Sequence, residues 1–357
     1  ADYNSNLYNT TGHFTMITKL RVGLTPDLLT STGTPSFGLA PLQLLDGCNA
    51  IEWEYLAANA AEISPDMAAA YDVLYVNAAK VTAATVGRAD CRVKMIARHG
   101  VGFDSVDVAA LTRAGIVLTN TPIAIRRPVA TMAMTFVLAL SQRLFAKDKL
   151  TRTGGWNRRN DFMGQGLTTR TLGLVGFGGI GRETVPLARA FDLTVLTADP
   201  FADAADVATT GAKLVPLDDL LQHSDFVVVS CLLNDSTRHL INAQRLAQMK
   251  KTAYLINVAR GPIVDETALI AALRSGTIAG AALDVFEQEP VAPDNPLLTM
   301  DNVIVTPHAL CWTDECFDAI ARGGLGCVVD FATHKVPVSV VNREVLKDAR
   351  VTAWLKG

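Results

Sequence analysis

Short apolar, β-branched runs alternate along the chain with Ala-rich stretches of helical length. That alternation predicts βαβ units wound into parallel sheets. Two series of strands stand out. The first comprises Leu20–Leu24, Val73–Asn77, Val93–Ala97 and Val117–Thr119. The second comprises Leu172–Val175, Thr194–Thr197, Lys213–Val215, Phe226–Cys231, Ala253–Val258, Ala281–Val285 and Val303–Thr306. The second series makes a complete doubly wound domain by itself. Between the two, Pro122 and Pro128 precede a helical stretch expected over Val129–Lys147 that bridges the domains. A long helix is expected over Asp314–Ala332, returning toward the first domain. The second domain is thus read as inserted into a discontinuous first one.

Composition sharpens this picture. Hydrophobic residues make up 49% of the 357 positions and charged residues 19%, so a large buried core is expected rather than disorder. With 32 Lys and Arg against 35 Asp and Glu, the net charge is −3. That balance lacks the basic footprint of a nucleic-acid binder. No apolar run approaches the roughly 18 to 20 residues of a membrane span. Met132–Leu140 is the longest candidate, too apolar for an exposed helix face, and reads as burying its surface in a partner subunit or between its own domains. The six cysteines, at 48, 91, 231, 311, 316 and 327, form no C-x-x-C and no zinc spacing. They read as free thiols in a reducing cytoplasm, with no metal site expected. Ala1–Thr15 is polar, lacks the signature of a signal peptide, and reads as a disordered leader.

Chemistry enters at Gly176-Phe177-Gly178-Gly179-Ile180-Gly181, which follows the strand ending at Val175 and opens a helix. This is G-x-G-x-x-G in the context that dinucleotide binding needs. Gly176 permits the tight turn, Gly178 lets the backbone approach a pyrophosphate, and Gly181 allows close packing of helix on strand. The amides of Gly179 and Ile180 are expected at the positive end of that helix. Asp199 ends the next strand, 18 residues after Gly181. A carboxylate there suits the adenosine ribose hydroxyls and repels a 2′-phosphate, which favours NAD over NADP.

With this turn and the blocks on either side of it, the chain resembles the D-isomer-specific 2-hydroxyacid dehydrogenases, a family that includes phosphoglycerate dehydrogenases and glyoxylate and hydroxypyruvate reductases. The matching blocks are His99-Gly100-Val101-Gly102-Phe103-Asp104-Ser105-Val106-Asp107, Asn120-Thr121-Pro122, the glycine turn, Asn257-Val258-Ala259-Arg260-Gly261-Pro262, Asp284-Val285-Phe286-Glu287-Gln288-Glu289-Pro290 and Thr306-Pro307-His308. The resemblance implies two Rossmann-like α/β domains with the active site in the cleft between them. In those terms, residues 1–19 are a leader and 20–120 with 308–345 form the substrate (catalytic) domain. Residues 121–307 form the NAD-binding domain, and 346–357 are a tail. It also implies a homodimer.

The catalytic set implied by the resemblance is Arg260, Glu289 and His308. Each lies at or past the C-terminal end of a predicted strand, where open α/β sheets bind ligands. Their chemistry matches the reaction. Arg260 can bind a carboxylate bidentately and polarise a keto oxygen. His308 can exchange the hydroxyl proton, and Glu289 can orient its ring and favour its charged form. Hydride moves between the nicotinamide and C2 of the substrate. The formate dehydrogenase branch carries Gln where Glu289 stands, which argues against formate.

Further positions follow from the same blocks. Asp284 is the implied partner of the nicotinamide carboxamide, while Cys231, Val258 and Ala259 line the cofactor. Val101 and Gly102 match the loop whose amides bind the substrate carboxylate. Trp312 either walls the substrate pocket or packs on the interdomain helix. Arg98, His99, Arg126 and Arg127 are candidates to border the cleft, the adjacent arginines being read first as surface charges. The expected function is an NAD-dependent 2-hydroxyacid oxidoreductase. The alternative is a non-catalytic NAD-sensing, corepressor-like protein.

Overall fold

The computed structural model describes residues 19–357. The expected leader therefore lies, apart from Lys19, outside the described residues. The chain divides into two compact units, one made of residues up to Thr121 and from Asp318 onward, the other of Pro122–Phe317.

The first unit holds five parallel strands: β1 (Leu20–Leu24), β2 (Ile51–Tyr55), β3 (Val73–Val76), β4 (Met95–Arg98) and β5 (Val117–Thr119). Their order is β2-β1-β3-β4-β5. The interior strands β3 and β4, apart from Arg98, are apolar on both faces and buried, as parallel sheets covered by helices require. Strand β2 was not expected. It reads Ile-Glu-Trp-Glu-Tyr and lies at the sheet edge, with Glu52 and Glu54 facing Arg21 at 3.6 and 3.1 Å. An edge strand with one solvated face alternates instead of running apolar.

The second unit holds β6 (Thr171–Val175), β7 (Thr194–Ala198), β8 (Lys213–Leu214), β9 (Phe226–Val229), β10 (Tyr254–Asn257), β11 (Gly280–Leu283) and β12 (Val303–Val305). All pair in parallel, in the order β12-β11-β10-β9-β6-β7-β8. The winding reverses between β6 and β9, and ligands bind beyond the strand ends at such a reversal. The register sets Asn257 level with Leu283 and Leu283 level with Val305. The segments leaving β10, β11 and β12 therefore start side by side.

Three expectations are corrected here. The helix expected over Val129–Lys147 is two helices, Arg126–Ser141 and Leu144–Arg152, separated where Arg143 adopts a left-handed conformation (φ 52°). The apolar run Met132–Leu140 does not await a partner. Met132, Met134, Phe136, Val137 and Leu140 are buried within their own unit, in one cluster with Leu172, Leu174, Phe226 and Ile256. Burying each such side chain contributes about 1.5–3 kcal/mol. Among the described residues no single helix is long and apolar enough to cross a membrane.

The third correction concerns the boundaries. The return to the first unit comes at Asp318, not at 308. Residues 309–311 stay with the second unit because Asp284 holds the Ala309 and Leu310 amides and Leu310 and Cys311 pack on its core. The expected tail is folded. Helix Ala349–Trp354 stacks Trp354 on Phe331 at 5.5 Å between ring centres, and the indole nitrogen donates to the Phe331 carbonyl.

Candidate active site

In the second unit, the glycine turn leaves β6 and leads into helix Gly179–Arg189. Gly176 has φ 101°, and a Cβ there would lie 2.8 Å from the backbone of Cys231. Only glycine combines that conformation with that approach. Around the Cβ position of Gly178, by contrast, nothing lies within 4 Å, so the turn is open where a ligand's backbone contacts would form. Asp199 stands just past β7, its Oδ2 accepting from the Phe177 amide at 2.8 Å and its Oδ1 from the Phe201 amide at 2.9 Å. The carboxylate is thereby fixed beside the turn. The turn, the helix end and the carboxylate together fit a dinucleotide.

Cys231 flanks this turn. Burial, and secondarily the Asp199 charge, push its thiol up to about 11. A thiol protonated at neutral pH is a contact surface, not a nucleophile. Val258 and Ala259 are nearly buried at the end of β10.

Arg260, Glu289 and His308 follow β10, β11 and β12. Asn257 sets the first: its Oδ1 accepts from the Ala259 amide at 3.1 Å and its Nδ2 donates to the Arg260 carbonyl at 2.9 Å. Arg260 Nη1 donates to the Ala259 carbonyl at 2.7 Å. Gly261 then passes so close to the Phe286 backbone that a Cβ would overlap the Phe286 carbonyl. A glycine after the arginine is what lets this segment lie against the one carrying Glu289.

His308 Nδ1 and Glu289 Oε2 are 2.8 Å apart. Glu289 Oε1 accepts from the Phe286 amide at 3.0 Å. Burial alone would raise the Glu289 carboxyl. The His308 hydrogen bond, the Phe286 amide and the charges of His308 and Arg260 outweigh burial and hold it below the usual carboxylate range. The three residues of the sequence-derived set are thus electrostatically in touch. Among the described residues His308 Nε2 has no intramolecular partner, and the side chain is half exposed. One ring nitrogen is held and the other faces outward, the arrangement an acid/base histidine needs.

His308 itself has φ 54°, uncommon outside glycine. Asp284 holds it there. This buried carboxylate accepts through Oδ1 from Thr306 Oγ1 at 2.6 Å and from the Ala309 and Leu310 amides at 3.1 and 3.2 Å. Sequence reasoning picked Asp284 for the cofactor and missed this anchoring of the histidine loop. The signal was present in the shared block but needed the loop's path. Trp312 stays half exposed and packs edge-on against Phe317, 5.0 Å between ring centres, in the first turn of helix Asp314–Ala332.

In the first unit, the Val101 carbonyl accepts from Asn120 Nδ2 at 2.8 Å, and Thr121 closes the turn through bonds of 3.0 and 3.1 Å to Gly100. Among the described residues the Val101 and Gly102 amides have no intramolecular acceptor. His99, by contrast, is buried, its Nδ1 2.6 Å from the Tyr75 hydroxyl.

Comparison with known proteins agrees with this geometry. The sequence model described as D-isomer specific 2-hydroxyacid dehydrogenase, NAD binding domain, matches residues 134–309. A glyoxylate reductase of Thermofilum pendens is 42% identical over 260 residues, 71% of this chain and 76% of that protein. One from Thermococcus onnurineus is 40% identical over 261 residues, 71% of this chain and 78% of that protein. Among solved structures, the D-lactate dehydrogenase of Aquifex aeolicus, complexed with NAD and lactic acid, superposes with a TM-score of 0.78 at 26% identity. That match covers 90% of this chain and 99% of the other. The corepressor-like alternative draws no support from these relatives, which are reductases and a dehydrogenase. With the glycine turn, the Arg, Glu and His set and these relatives in agreement, the chain belongs to the D-isomer-specific 2-hydroxyacid dehydrogenases, NAD-dependent oxidoreductases of 2-hydroxy acids.

Proposed function

We propose that the protein reduces a small 2-oxo acid with NADH, and that glyoxylate is the substrate class to test first. The observation that carries the acid/base part is the 2.8 Å pair between His308 Nδ1 and Glu289 Oε2. The curated relatives named above, both glyoxylate reductases, support the substrate class. NADH held by the glycine turn and Asp199 would supply a hydride for C2 of the substrate. Arg260 binds the substrate carboxylate and polarises the keto oxygen. His308 delivers a proton from Nε2 to that oxygen, while Glu289 holds the ring in place at Nδ1. In the first unit the open Val101 and Gly102 amides suit a carboxylate, and in the second Asp284 Oδ2 suits the carboxamide. Trp312 offers its exposed edge to the substrate. Asp199 selects NADH over NADPH by repelling a 2′-phosphate.

A second copy of the chain is the expected partner, through a surface other than Met132–Leu140. Leu144, Phe145, Trp156 and Met163 are each more than half exposed, on helix Leu144–Arg152 and the turn that follows it. Exposed apolar side chains of this kind suit burial in a homodimer. The free thiols of all six cysteines fit a reducing cytoplasm.

The test is oxidation of NADH and of NADPH against glyoxylate, hydroxypyruvate and pyruvate. Turnover with NADH and glyoxylate, and far less with NADPH, is expected. Tight NADH binding with no turnover of any 2-oxo acid would overturn the catalytic reading.

A further inference from the structure

We propose that Arg126 is the counter-ion of the cofactor's pyrophosphate, reaching over Gly179 from outside the glycine-rich motif. This rests on the NAD reading above and adds a residue that the motif does not contain.

The first observation is steric. A Cβ built on Gly179 would lie 2.5 Å from Arg126 Nε, 2.7 Å from its Cδ and 3.1 Å from its Cγ. Three successive atoms of Arg126 therefore run along the bare α-carbon of the first residue of helix Gly179–Arg189. Any side chain at 179 would displace the arginine. Gly179 is thus not needed for its own backbone angles, and the space it leaves is filled by a cation.

The second observation is electrostatic. Arg126 opens helix Arg126–Ser141, where a positive side chain meets the positive end of the helix dipole. Its neighbour Arg127 is compensated by Glu183 at 3.6 Å. Arg126 has no carboxylate within 4 Å among the described residues, and its Nε donates at 3.3 Å to the Pro122 carbonyl. The nearby Asp199 carboxylate is engaged by the Phe177 and Phe201 amides instead. The two helix N-termini and one unpaired guanidinium thus bring positive potential to a single turn. A dianionic pyrophosphate seated on the amides of that turn is the ligand such an arrangement fits. The guanidinium fork can bond two phosphate oxygens at once.

The placement also separates two specificities. Asp199 acts against an added phosphate on the ribose, while Arg126 acts on the phosphates that NAD and NADP share. Loss of Arg126 should therefore weaken both cofactors alike.

The experiment measures binding, not turnover. Dissociation constants of the whole protein are taken for NADH by fluorescence and for ADP-ribose and adenosine by competition, at low and high salt. Arg126→Ala is expected to weaken NADH and ADP-ribose about tenfold, the scale of one lost charge-assisted contact. Adenosine, which has no phosphate, should bind as before and so reports intact folding. The salt dependence of NADH binding should become shallower in the variant. Joining Gly179→Arg to Arg126→Ala should recover most of the loss, because the cation then projects from the helix end itself. Unchanged NADH and ADP-ribose binding in Arg126→Ala would overturn the proposal, as would an equal loss for adenosine. If the unmodified protein binds neither NADH nor ADP-ribose, the NAD reading itself fails and this proposal falls with it.

Discussion

Two histidines, each just past the end of a parallel strand, have opposite fates. His99 follows β4 in the first unit and His308 follows β12 in the second. His99 is only 3% exposed, its Nδ1 meets the neutral Tyr75 hydroxyl, and burial together with the charge of Arg98 pushes it down to about 3. It is a packing residue that stays uncharged. His308 keeps half its surface in solvent, and its Nδ1 meets a carboxylate. The same side chain at similar places in similar sheets is disabled by one surrounding and enabled by the other. Position past a strand end nominates a residue. Exposure and the charge of the partner decide its chemistry.

The largest effect should separate the two directly. His308→Ala is expected to lower kcat for 2-oxo acid reduction by about 10²–10⁴, the scale of general acid catalysis. His99→Asn, which preserves a hydrogen-bonding partner for Tyr75, should leave kcat within a factor of a few. Steady-state kinetics of both variants check this, and comparable losses would erase the contrast.

Next in size is the carboxylate that distinguishes the pair. Glu289→Gln keeps the shape and removes the charge, and should lower kcat by about 10-fold or more. It also has a signature in stability. The folded Glu289 carboxyl is held below its ordinary value, so its contribution is fully present above the ordinary carboxylate range and is lost as pH falls through the depressed value. Urea unfolding should find Glu289→Gln less stable than the parent near neutral pH, with the gap closing in acid.

A smaller effect belongs to His99. Its pKa is lowered from 6.5 to about 3, so between those values the unfolded chain takes up a proton that the folded one refuses. Stability falls as pH drops through that window, by up to about 1.4 kcal/mol per pH unit. His99→Asn should flatten that slope in unfolding measurements between pH 6.5 and about 4, whatever its offset at neutral pH. The smallest expected effect is Tyr75→Phe, which leaves His99 Nδ1 without its hydroxyl and should cost about 1–3 kcal/mol in the same assay.

The contrast also marks what the sequence could disclose. All seven strands of the second unit were legible, because all but the short Lys213–Leu214 are mostly apolar runs and all are framed by helix-length spacers. Strand β2 was not, since its two glutamates sit on the solvated face of a sheet edge. Ordered motifs nominated Arg260, Glu289 and His308, because each motif is local and carries its own strand end. Asp284 was legible as a candidate for the cofactor but not as the anchor of the loop around His308, which depends on how the chain bends after Thr306. His99 was legible as a histidine near a glycine-rich turn, yet its burial, against Tyr75 24 positions earlier, decides its state. Arg126 was legible as a candidate cleft arginine, but its placement along Gly179 was not, since it joins segments that no motif links.

The most direct test of His308 as the proton donor pairs two measurements on one variant. NADH oxidation with glyoxylate and NADH binding by fluorescence are followed for His308→Ala. Expected is a loss of turnover of about 10³ with NADH binding within twofold of the parent, because the residue exchanges a proton and does not hold the dinucleotide. Full turnover in the variant, or turnover lost only in proportion to lost NADH binding, would contradict that role.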